Sequence, residues 1–155
     1  MENIQEKADF LQNVFAKKLS GLAQGISGKR GKMNVRQMIE HISDYVKIAN
    51  GKTTMAVITE TEKLPRLVGF LESEKTFPEN TPNSLMPEIP APLRLGSKQE
   101  AIDELHGEIN HFFEVYKSEA GKKVASPFFG ELAYEQQVQL LYKHATHHLR
   151  QFGAM

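Results

Sequence analysis

The sequence predicts an all-α fold, a four-helix bundle with a long proline-rich connection between its second and third main helices. Three observations lead there. Four segments carry apolar residues at i, i+3, i+4 spacing, the period of a helix with one buried face. Strand signals of period two are weak throughout. Between Phe77 and Leu95 stand Pro78, Pro82, Pro87, Pro90 and Pro92, which bar regular structure and leave a connection long enough for a crossover.

The first helix covers residues 4–20, with Phe10, Leu11, Val14, Phe15 and Leu19 on one side. The glycine-rich stretch GLAQGISGKRGK then breaks the pattern. Asn34 opens the second helix, and Gln37 three residues on completes a capping box. Its apolar stripe is Val35, Met38, Ile39, Ile42, Tyr45, Val46 and Ala49, and Gly51 ends it. A shorter helical piece follows around residues 61–71. The proline loop over residues 77–95 comes next, and a loop of that length in a compact domain usually serves function or wraps a neighbour. Ser97 with Glu100 reads as a second capping box and starts the third helix, lined by Ile102, Leu105, Ile109, Phe112, Phe113 and Tyr116. Gly121 and the SPFFG turn, residues 126–130, stop it. The last helix runs over residues 134–152, with Val138, Leu141, Ala145, Leu149 and Phe152 inward.

A chain of 155 residues suits one domain with a real core, here taken as residues 1–155. Basic and acidic residues balance at 19 each, which gives no electrostatic reason to expect nucleic acid or an anionic membrane as partner. There is no cysteine, so disulfides, thiolate metal sites and a cysteine nucleophile are excluded. The opening residues lack the pattern of a signal peptide, and no apolar run reaches the ~20 residues that span a bilayer. A soluble cytoplasmic protein is the expectation.

Three of six histidines fall within the last helix, in YKHATHHLRQFG. Successive helical residues turn by about 100°, which places His148 roughly 50° and His144 roughly 90° from the centre of the apolar stripe. His147 lies roughly 150° away and is expected to face solvent or a partner. His144 and His148, four residues apart, stack on one face where both imidazoles can reach one ion, with Gln151 behind them to orient a ligand. His41, on the second helix, lies roughly 90° from its stripe, next to Met38 and Tyr45. If the two helices are neighbours, three imidazoles converge. Histidines at a core margin also serve as plain structural residues, and spacing alone leaves both roles open. His106 and His111, on the third helix, are poorer ligands, His111 facing nearly opposite to its stripe.

Other patterns fail on inspection. The HxxxH of the last helix lacks the glutamate that follows the first histidine in zinc proteases. Glu108–His111 supplies a single ExxH where a di-iron site needs two. Gly51-Lys52-Thr53 imitates the end of a phosphate loop, but Val46 occupies the position of the leading glycine. The basic turn over residues 28–32 is short and reads as a solvated loop.

GKMNVRQMIEHI (residues 31–42), SPFFGEL (126–132) and YKHATHHLRQFG (142–153) resemble, in order and spacing, a subgroup of the DinB-like superfamily that carries a domain of unknown function. The resemblance implies a bundle of up-down-down-up type, often dimeric. It also implies a divalent metal (Zn, Ni, or Mn/Fe) held by His41, His144 and His148. Relatives use such a site for thiol-dependent transferase or isomerase reactions, with a low-molecular-weight thiol as cosubstrate. A metal-dependent S-transferase acting on a small molecule is therefore the expectation, with Tyr45 and Gln151 as positioning groups and the proline loop as a lid or pocket wall. A metal-dependent hydrolase and a non-catalytic metal-binding or dimerisation module are the alternatives. The chain departs from its relatives at Arg30, Ser126 and Gln137, where they often carry Trp, His and Trp. It departs again at Ala133, where a serine cap is replaced at a cost of about 1 kcal/mol.

Overall fold

The computed structural model describes residues 1–23, 33–78 and 92–155. Among them stand α1 (Ile4–Asn13), α2 (Phe15–Ser20), α3 (Val35–Ala49), a 3-10 turn (Thr61–Lys63), α4 (Leu64–Glu72), α5 (Lys98–Ser118), β1 (Val124–Ser126), β2 (Gly130–Leu132) and α6 (Tyr134–Gln151). The fold is all-α with one small hairpin. Most of the proline connection, residues 79–91 with Pro82, Pro87 and Pro90, lies outside the described residues, as do Arg30 and the basic turn.

The single first helix expected from the sequence bends at Val14. Val14 N–H still donates to Phe10 O and Lys18 N–H to Val14 O, so the helical ladder runs through the bend. Asn34 and Gln37 form the capping box reciprocally, each bond 2.9 Å. At α5 the box is altered. Ser97 Oγ accepts from Glu100 N–H, but the Glu100 carboxylate accepts from Gly96 N–H at 2.9 Å, one residue before the cap. Ala133 leaves α6 without a side-chain cap, and Gln136 Oε1 accepts the Ala133 N–H instead.

Contact pairs fix the direction of each helix. Lys7 meets Gln139 and Phe10 meets Tyr142, so α1 runs parallel to α6. Lys47 meets Glu104 and Asn50 meets Glu108, so α3 runs parallel to α5. His41 lies against His148 and Tyr45 against His144, so α3 and α6 are antiparallel. The result is an up-down-down-up bundle. The parallel α3–α5 pair requires the chain between them to cross the length of the bundle.

The main core joins α1, α2, α3, α5 and α6 around Phe15, Met38, Ile42, Phe112 and Leu149. A second cluster of Leu71, Phe77, Phe128, Phe129 and Leu132 packs α4 and the hairpin beside it. The hairpin is a further departure from the expected helices. Its three-residue turn, Pro127–Phe129, closes through Gly130 at φ +80°, a backbone conformation that favours glycine. A Cβ there would meet Leu64 at 3.4 Å, an ordinary van der Waals contact, so the conformation and not space is what favours glycine. The turn carries Phe128 and Phe129 into the second cluster, which explains an aromatic pair within a loop.

Polar side chains tie the outer elements down. Lys7 Nζ donates to Glu74 Oε1 at 2.6 Å and to Gln139 Oε1 at 2.7 Å. Lys143 Nζ donates to Phe70 O at 2.6 Å, near the C-terminal end of α4. Asn50 and Lys52 both bind the Glu108 carboxylate, which assigns the Gly51-Lys52-Thr53 triplet and the ExxH glutamate to structure.

Candidate metal centre

Packing of α3 against α6 brings three imidazoles together across 103 residues of sequence. His144 Nε2 lies 3.2 Å from His41 Nε2 and 2.9 Å from His148 Nε2. His144 and His148 are each 1% exposed, while His41 is half-buried and forms the accessible side. Among the described residues these three form the group that could hold a metal ion. Behind them, Gln151 Oε1 sits 2.8 Å from His148 Nδ1.

Proton bookkeeping favours an ion at this point. Gln151 Oε1 only accepts, so His148 Nδ1 carries the proton and its Nε2 presents a lone pair. If His144 Nε2 is protonated, its one N–H serves His148 or His41 but not both. If it is unprotonated, two lone pairs face each other at 2.9 Å. With neutral rings, no tautomer satisfies both contacts. A cation at this point would take the His144 lone pair without that conflict. Tetrahedral Zn–N bonds of about 2.0–2.1 Å place ligand nitrogens about 3.3 Å apart, close to the separations found. Burial, and then the neighbouring rings of His148, His41 and His147, hold the His144 pKa well below the usual imidazole value, so it offers a neutral lone pair at neutral pH.

Tyr45 stands against the triad, its ring centroid 5.0 Å from that of His41 and 4.9 Å from that of His144. Burial, with a smaller contribution from Asp44, pushes its hydroxyl up to about 12, so it stays protonated at neutral pH. Next to His144 the bundle opens into a recess between α3, the hairpin turn and α6. Ile48, Phe128 and Leu140 contribute to its walls, and Ser126 and Gln137 are among its polar residues. Gln137 Nε2 donates to Val124 O, and Ser126 Oγ accepts from Phe129 N–H.

The sequence-based placement of His147 is overturned. It is 7% exposed, its ring 6.1 Å from Phe77 and 5.1 Å from His148. The reason is that α4 and the Phe77 segment cover this face of α6, and they do so over polar as well as apolar side chains. An angle measured from the apolar stripe does not register such a cover. His106 and His111 are half-buried on α5 and do not join the triad. Sequence reasoning also missed the recess. Its one legible trace was that Ser126 and Gln137, two of the departures from related sequences, line the same space.

No helix among the described residues is long and apolar enough to cross a membrane. A family model described as the DinB superfamily matches residues 15–152. No curated protein and no solved structure matches the chain.

Proposed function

Because the chain belongs to the DinB superfamily, we propose that it is a divalent-metal-dependent enzyme, with His41, His144 and His148 as ligands, that transfers a low-molecular-weight thiol to a small-molecule electrophile. The observation that supports this reading is the convergence of the Nε2 atoms of His41, His144 and His148. Neutral imidazoles suit Zn²⁺ and Ni²⁺, and also Fe²⁺ or Mn²⁺ with lower affinity. When bound, an ion with three protein ligands acts as a Lewis acid at its open position and lowers the pKa of a group that enters there.

The chain's own residues supply orientation. Gln151 keeps the His148 lone pair pointed inward by accepting the opposite N–H. Tyr45 presents a neutral phenol beside two of the ligands, a donor suited to orient a substrate oxygen. The protein has no cysteine, so the sulfur comes from a cosubstrate. In the reaction the thiol gives up its proton, a sulfur–carbon bond forms at the electrophilic carbon, and the leaving group departs with its bonding pair and is protonated.

Metal content tests the foundation. Protein purified without a histidine tag or nickel column, then offered Zn²⁺, Ni²⁺, Mn²⁺ and Fe²⁺, is expected to bind one of them near one ion per chain. Failure with all four removes the enzyme reading. A screen of thiols with electrophiles, set against esters and amides, then separates transfer from hydrolysis.

A further inference from the structure

The recess beside His144 carries a statement about substrate class. No lysine, arginine, aspartate or glutamate lines it among the described residues. An ammonium placed there would lose its water without gaining an opposite charge, as would a carboxylate held away from the triad, and a sugar would leave several hydroxyls unpaired. Apolar surface gains about 25 cal/mol per Å² on entering such a space. The polar groups present are few, and most are engaged. Gln137 Nε2 is taken by Val124 O. Ser126 is 4% exposed, and its Oγ accepts from Phe129 N–H at 3.3 Å. Among the described residues nothing accepts the Ser126 O–H, which leaves one hydroxyl donor for a ligand acceptor. Tyr45 and His144 both line the recess, so it opens directly onto the triad.

We propose that this recess seats the non-reacting part of the substrate, an uncharged aryl or branched-alkyl group bearing one hydrogen-bond acceptor, with the reacting atom directed at the triad. The enzyme then works on electrophiles whose non-reacting part is hydrophobic and uncharged, and discriminates against those whose non-reacting part is cationic or polyhydroxylated. The assignment of a reaction rests on the metal-enzyme reading above. The occupancy of the recess does not.

Methyl-resolved NMR titration of the whole protein as purified tests it, with four probes: acetophenone, toluene, phenyltrimethylammonium and glycerol. Acetophenone is expected to shift the Ile48, Leu140 and Leu141 methyls saturably, with phenyltrimethylammonium and glycerol at least about ten-fold weaker. Ser126→Ala is expected to weaken acetophenone about three- to ten-fold while leaving toluene unchanged, the signature of one hydrogen bond. Leu140→Trp, or Ile48→Phe should the first variant fail to fold by circular dichroism, is expected to weaken both ring probes by about ten-fold or more. Equal affinity for phenyltrimethylammonium, no saturable shift at these methyls, or binding undisturbed by either filling variant would overturn the proposal. In His148→Ala, acetophenone is expected to bind as before. A chain that binds metal but no ring probe refutes the recess alone, and one that binds the probe but no metal refutes the enzyme reading alone.

Discussion

Gln151 Oε1 accepts the Nδ1–H of His148 across 2.8 Å, one turn along α6. This one contact fixes the tautomer of His148. Gln151→Ala is expected to lower metal affinity about 10- to 100-fold, measured by competition with a chromogenic chelator. Gln151→Glu keeps the acceptor and should restore most of it. If Gln151→Ala binds as tightly as the parent, the tautomer argument is wrong.

His148 and His147 are adjacent in sequence and their rings lie 5.1 Å apart, yet only one belongs to the triad. His148→Ala is expected to abolish stoichiometric metal binding. His147→Ala should keep the ion but lower stability by about 1–3 kcal/mol, since it empties a buried site against Phe77. Elemental analysis together with urea unfolding separates the two effects.

The reciprocal Asn34–Gln37 box starts the helix that delivers His41. Asn34→Ala should cost about 1 kcal/mol in urea unfolding, with metal stoichiometry retained.

Hydrogen bonding to Arg94 holds the Glu104 carboxyl below its ordinary range, against an opposing push from burial. A carboxyl with a depressed folded-state pKa adds stability above its unfolded value, and that stability is lost as pH falls through the folded value. Glu104→Gln is therefore expected to be less stable than the parent at pH 7 and to lose less on acidification. Urea midpoints taken from about pH 6 down to about pH 3 would show the two curves converging. Parallel curves would refute the linkage.

Lys143 is pushed down to about 8 by burial, partly offset by Glu74. Above that value the folded chain has released a proton that the unfolded chain still holds, so stability from this group rises with pH. Lys143→Met should flatten the rise between about pH 7.5 and 9.5, below the range in which tyrosines ionise. An unchanged slope would mean that Lys143 keeps its charge within the fold.

Much of the fold was legible because its determinants are local. Asn34 and Gln37 are three residues apart, and the stripe from Val35 to Ala49 repeats with the helical period. The helix starts and stops follow from such features. His144 and His148 were legible as a pair for the same reason, since four residues of helix place them on one face whatever surrounds it. The hairpin was not legible, because Val124–Ser126 and Gly130–Leu132 are too short to display alternation. Its stability comes from Phe128 and Phe129 meeting α4, a contact between distant parts of the chain.

By itself, then, the sequence determined four helical segments, the side-chain caps at Asn34 and Ser97, an i, i+4 imidazole pair and the absence of any thiol. Tertiary structure decided the rest. Antiparallel packing of α3 on α6 set His41 Nε2 at 3.2 Å from His144 Nε2. The cover of α4 and Phe77 buried His147, which a single-helix projection turned toward solvent. The hairpin turn, laid against α3 and α6, enclosed a charge-free recess at the triad. A helical period specifies angles about one axis, whereas a site with residues from three elements depends on how those axes are placed relative to one another.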